Sequence, residues 1–147
     1  MTMEQNRIII EGVGPSVDNG RFAAKTVVGE TVNISADIFK DGHDKLRAAV
    51  LFKPVKRSRP VSKTYCREAP VVTDPAWRES PLKEDVNDRW SGSISCDSIG
   101  DWVFTICAWT DAFGSWRGEL KKKAEALSDV SSELLEGAHI IGRTHGA

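Results

Sequence analysis

Apolar and polar residues alternate in steps of two through the first two thirds of the chain. Across Thr31–Ile38, Val32, Ile34, Ala36 and Ile38 fall on one side and polar residues on the other. Successive strand side chains point to opposite faces, so this pattern predicts a half-buried β-strand. Leu46, Ala48, Val50 and Phe52 repeat it, as do Trp90, Gly92, Ile94 and Cys96 against Ser91, Ser93 and Ser95. Ile8–Glu11 predicts a short first strand. Trp102–Trp109 is apolar on both faces, which predicts the most buried strand, or one covered on its outer face by another element. Turn-forming stretches separate these runs, among them Asp18-Asn19-Gly20, Asp41-Gly42-His43-Asp44 and Gly100-Asp101. The interval Pro54–Val86 is less regular and carries Pro60, Pro70, Pro75 and Pro81, which predicts long loops around one or two edge strands. Short strands with turns between them predict a mostly β protein, an immunoglobulin-like antiparallel sandwich.

Near Ser115 the period changes. Leu120, Ala124, Leu127, Leu134, Ala138 and Ile141 follow helical spacing, with Lys121–Lys123 on the other side. Ser128-Asp129 breaks the run and caps a second short helix from Val130, which Gly137 and Gly142 weaken. The chain thus divides into a sandwich domain, 1–114, and a helical extension, 115–147. The apolar stripe of that extension packs on the sandwich, swaps onto another subunit or stays exposed.

Composition narrows the function classes. At 147 residues the chain is long enough for one proper core. A net charge of −1 supplies no global field to attract nucleic acid or anionic lipid. No apolar run approaches the length of a membrane helix, and the N-terminal residues lack a signal-peptide layout, which places the expected location in the cytoplasm. Cys66, Cys96 and Cys107 are odd in number and far apart in sequence, an argument against a disulfide framework or a zinc site.

No phosphate loop, nucleophile elbow or paired-cysteine motif occurs. His43, His139 and His145 lack metal-spaced partners, and the Asp37, Asp41, Asp44 group lacks the alternating ligands and closing Glu of a calcium loop. No catalytic residue, cofactor site or metal site is therefore expected. Six cations between Lys53 and Arg67 (Lys53, Lys56, Arg57, Arg59, Lys63, Arg67) read as solvated surface rather than a nucleic-acid contact. Of the five tryptophans, Trp90, Trp102 and Trp109 sit at strand positions and read as packing, while Trp77, in a proline-rich loop, is the candidate for stacking on a sugar ring. Where strand passes to helix, Trp109, Asp111, Phe113, Trp116 and Arg117 mix aromatic rings with charge. That composition suits a surface docked on another domain or subunit.

Several motifs then follow one another in a recognisable order: Glu11-Gly12-Val13-Gly14-Pro15-Ser16-Val17-Asp18-Asn19-Gly20-Arg21-Phe22, Val28-Gly29-Glu30, Asp37-Ile38-Phe39-Lys40-Asp41-Gly42-His43-Asp44, Asn87-Asp88-Arg89-Trp90-Ser91-Gly92, Ala108-Trp109-Thr110-Asp111, Trp116-Arg117-Gly118-Glu119-Leu120 and Leu134-Leu135-Glu136-Gly137-Ala138. From about Arg7 to Ile141 the chain resembles the N-terminal region of bacterial α-1,4-glucan:maltose-1-phosphate maltosyltransferases. The resemblance implies a cytoplasmic, homodimeric parent enzyme several times longer. That parent moves maltosyl units from maltose 1-phosphate to α-1,4-glucan ends with retention, using an Asp nucleophile and a Glu acid/base in an α-amylase-type barrel. It implies for this region a sandwich plus helical insert that contributes to the dimer contact. The chain stops where the insert continues in the family, and no position here matches a catalytic carboxylate. The expectation is a non-catalytic module whose partners are a second copy and a barrel. The alternative is an α-glucan-binding module, and an independent enzyme is the third reading.

Overall fold

The computed structural model describes residues 7–56, 65–67, 69–70 and 72–144. Six strands and two helices follow in chain order: β1 (Ile9–Gly14), β2 (Thr31–Phe39), β3 (Leu46–Val55), β4 (Arg78–Glu84), β5 (Arg89–Ser95), β6 (Asp101–Thr110), α1 (Ala112–Glu125) and α2 (Ser131–Thr144). The strands form one sheet in the order β1-β2-β5-β4-β3-β6. β4 joins its two halves, pairing through Arg78–Leu82 with β3 and through Lys83 and Glu84 with β5, all antiparallel. The protein is thus mostly β, an immunoglobulin-like antiparallel sandwich with a C-terminal helical extension.

Period-2 patterning places the core. Ile34, Ala36 and Ile38 of β2 are buried, and across the register Ala36 faces Trp90 while Val32 faces Ile94. Trp90, itself buried, donates its indole N–H to the Ile38 carbonyl at 3.1 Å, so the largest core side chain leaves no orphan donor. Val50, Leu82 and Ile106 extend the same core from the other half of the sheet.

Two expectations need correction. β6 is not the most buried strand: it lies at a sheet edge and buries only Ile106, Cys107 and Ala108, whereas β3 buries the unbroken run Ala48–Phe52. An inner strand flanked on both sides loses its solvent on both faces; an edge strand does so only where something covers it. Here the cover is the segment around Cys66, which adds a parallel bridge to Cys107. Nor is the proline-containing strand an edge strand. β4 lies inside the sheet, and Pro81 pairs with Ala49 beside the point where β4 changes partner. A residue without an N–H costs least where a ladder is already handing over. Close approach there depends on Gly92 of β5: a Cβ at that position would sit 2.7 Å from the Pro81 carbonyl oxygen and 2.8 Å from Leu82 Cδ2.

The chain folds as two compact units. One comprises residues 1–41 and 47–109, the sandwich; the other comprises residues 42–46 and 110–147. The helical unit therefore begins at Thr110 and takes in the short loop that leads into β3. None of the helices among the described residues is long and apolar enough to cross a membrane.

Candidate functional site

The helical unit is assembled by its capping chemistry. Asp111 is the N-cap of α1, and its Oδ1 accepts from the Gly114 amide at 2.9 Å. Gly114 is required there, since a Cβ would lie 2.3 Å from Asp111 Oδ2. The Asp111 amide donates to the Lys45 carbonyl at 2.8 Å, and the Lys45 amide donates to Ser115 Oγ at 2.8 Å. The loop 42–46 is thereby stitched to the first turn of α1. α1 ends at a left-handed residue that is not glycine, Leu127 (φ 54°). α2 starts with an Asx cap, in which Asp129 Oδ1 accepts from both the amide (2.9 Å) and the hydroxyl (2.6 Å) of Ser131. These bonds hold the Asp129 carboxyl below its usual range.

Trp116 pins the two helices together. Its indole N–H donates to the Glu133 carbonyl of α2, and its six-membered ring lies over Gly137, where a Cβ would come within 2.1 Å of Cζ2. The glycine that lowers the helical propensity of α2 is therefore the seat of the ring that joins α2 to α1. Glu133 is the buried charged residue of the unit. Its carboxylate pairs with the Lys123 ammonium and accepts from Ser132 Oγ at 3.0 Å. The lysine hydrogen bond is the largest cause that lowers the Glu133 carboxyl, and the same bond raises Lys123.

The residues chosen from sequence divide between the two units. Asp111, Phe113 and Trp116 come together on the first turns of α1, with the Phe113 and Trp116 ring centroids 5.4 Å apart and tilted by 45°. Arg117 is exposed on the same helix, whereas Trp109 is half-buried at the end of β6 and belongs to the sandwich unit. Trp116 is turned inward onto α2, so Phe113 is the exposed ring of the segment. Outside the caps and the Trp116 contact, the helices present large apolar side chains to solvent. Leu127 is 95% exposed, Leu135 67% and Leu134 55%, with Phe113 and Ile141 also exposed.

Trp77 is half-buried, and the Lys53 ammonium lies 4.7 Å from its ring centroid while ion-pairing with Asp74 at 2.9 Å. That bond is the largest cause holding the Asp74 carboxyl below its usual range. Trp102 is flanked by Phe52 and by the Arg78 guanidinium. The shallow groove on β2 and β5 is lined by Asn33, Ile34, Ser35, Ser91, Gly92 and Ser93, without an aromatic platform. Of the basic segment, Lys53 serves Asp74 and Arg67 Nε donates to the Ile8 carbonyl at 2.9 Å, while Arg57, Arg59 and Lys63 lie outside the described residues, as does His145. Among the described residues no group of three or more His, Cys, Asp or Glu side chains is arranged to hold a metal ion. Sequence spacing missed one pairing: Cys66 and Cys107 are bridge partners in space.

A sandwich whose last strand runs straight into a capped two-helix unit defines the class, an immunoglobulin-like module with a helical extension. Within that class the family is specific. The family profile described as alpha-1,4-glucan:maltose-1-phosphate maltosyltransferase, domain N/S, matches residues 6–147. The chain belongs to this family. It is 40% identical over 141 residues to the alpha-1,4-glucan:maltose-1-phosphate maltosyltransferase of Myxococcus xanthus, covering 96% of this chain and 19% of that protein. The protein of the same name from Chlorobaculum tepidum is 34% identical over 137 residues (93% of this chain, 18% of that protein). That of Pseudomonas aeruginosa is 33% identical over 143 residues (97% and 19%). The chain thus spans about a fifth of the length of these relatives.

Proposed function

We propose that this chain is the non-catalytic N-terminal module of a cytoplasmic maltosyltransferase that extends α-1,4-glucan from maltose 1-phosphate. Its role in that enzyme is architectural: it holds a homodimer and docks beside a catalytic barrel. The observation that carries this reading is the helical unit, which spends its polar groups on internal caps yet leaves Leu127, Leu134 and Leu135 in solvent. Three leucines on one small unit are a large apolar area to leave wet, and such surfaces mark interaction sites. The domain boundary follows the same logic, with a sandwich to about residue 114 and a docking extension beyond it. The profile match to domain N/S supports the placement in the parent enzyme.

The competing reading, an α-glucan-binding module, requires a bare aromatic face. Trp77 offers one only if Lys53 gives up its place over the ring. Two measurements decide between the readings. The purified chain, incubated with maltose 1-phosphate and a short α-1,4-glucan, is expected to release no phosphate and lengthen no glucan; turnover would end the non-catalytic assignment. In native gels loaded with glycogen its mobility is expected to match that in plain gels. Retardation that Trp77→Ala abolishes would move the assignment to the binding module.

A further inference from the structure

The two thiols that are widely separated in sequence share one rung of the sheet. Cys66 and Cys107 are partners in a parallel bridge: the Cys66 amide donates to the Ile106 carbonyl and the Ala108 amide to the Cys66 carbonyl, both at 3.0 Å. Bridge partners on neighbouring strands project to the same face and lie about 4.7–4.9 Å apart. That spacing falls inside the roughly 4.4–6.8 Å between Cα atoms that a disulfide spans. The side chains are already in contact, the two thiols sharing a hydrogen bond. Access is asymmetric, since Cys66 is half-buried and Cys107 is 1% exposed. Cys96, the remaining thiol, is buried on the strand end after β5 and is not part of the rung.

We propose that Cys66 and Cys107 form a reversible redox site, closed to an intramolecular disulfide by a low-molecular-weight disulfide and reopened by thiols. The exchange balances in two steps. The Cys66 thiolate attacks one sulfur of the small disulfide, forming a mixed disulfide and expelling one thiolate. The Cys107 sulfur then gives up its proton, attacks the Cys66 sulfur and expels the second thiolate. Two protein thiols are oxidised, and one small disulfide is reduced to two thiols. Burial is the largest cause that pushes the Cys107 thiol up to about 12, so closure is the slow step. Its rate rises about tenfold per pH unit through the neutral range, as the thiolate fraction does. In a reducing compartment the pair rests as thiols, and oxidation clamps the 65–67 segment onto the edge of β6.

The test uses the wild-type chain with oxidised glutathione under native conditions, followed by peptide mapping without reductant. The expected product is a peptide pair linked through Cys66 and Cys107, with the intact mass lowered by two hydrogen atoms and restored by dithiothreitol. The glutathione adduct on Cys66 appears first and decays faster as pH rises. Cys96→Ala keeps the cross-link and Cys66→Ser abolishes it. An adduct that persists on Cys66, a cross-link through Cys96 or between chains, or no reaction at all would overturn the proposal.

Discussion

At Gly137 the cost of a glycine inside a helix is offset by what its missing Cβ admits. Trp116 uses that space to reach the Glu133 carbonyl, so Gly137→Ala forces the ring out and strains the helix contact. Overpacking of this kind costs about 1–3 kcal/mol and outweighs the helix-propensity gain of roughly 1 kcal/mol. Gly142, further along the same helix, has no neighbour within 4 Å of where a Cβ would stand, so Gly142→Ala is expected to stabilise the unit by up to about 1 kcal/mol. Urea unfolding followed by tryptophan fluorescence checks both signs. The Glu133–Lys123 pair carries a pH signature. A lowered carboxyl contributes stability that is present above its ordinary value of 4.5 and is lost as pH falls through the lowered one. The raised lysine contributes below 10.5 and loses its share as pH climbs through the raised value. Helical signal in an acid titration is thus expected to fall below pH 4.5, with Glu133→Gln flattening that dependence. An identical profile in the variant would remove the pair from the account.

Among the elements, legibility follows burial on one face. β2 and β5 stand where alternation puts them, because each has a wet face and a dry one and a strand in that position must alternate. The pattern ranks β3 and β6 the wrong way round, since a run apolar on both faces records the residues but not which neighbours cover them. Pro81 hides the interior position of β4, although Asn87 and Asp88 carry the missing signal. Both have positive φ (57° and 60°), as a two-residue hairpin turn demands, and that turn fastens β4 directly to β5. The contact between β4 and β5 is tight enough to test. Gly92→Val puts branched carbon against the Pro81 carbonyl and Leu82, and is expected to destabilise the sandwich by about 1–3 kcal/mol in thermal unfolding. The cap at Asp129 is visible as an Asx residue before an apolar run, and Asp129→Ala is expected to cost about 1 kcal/mol of α2 stability by circular dichroism.

For the molecule as a whole, the apolar stripe of the extension is legible and its destination is not. Periodicity locates a face, but whether the face is covered depends on contacts outside the pattern. The inward turn of Trp116 is equally hidden, because a glycine in a different helix does not announce the ring it receives. What stands in solvent is a set of leucines on α2 and at the end of α1, and the proposed assembly buries them. Each leucine taken from water into an interface contributes about 1.5–3 kcal/mol. One acidic substitution on that face therefore weakens association by at least about tenfold, which takes only about 1.4 kcal/mol. Sedimentation velocity across a concentration series, for the wild-type chain and for Leu134→Glu, tests the proposal most directly. The account predicts a concentration-dependent dimer that the substitution dissociates while the sandwich stays folded. A wild-type chain that remains monomeric throughout, or a dimer indifferent to Leu134→Glu, would contradict it.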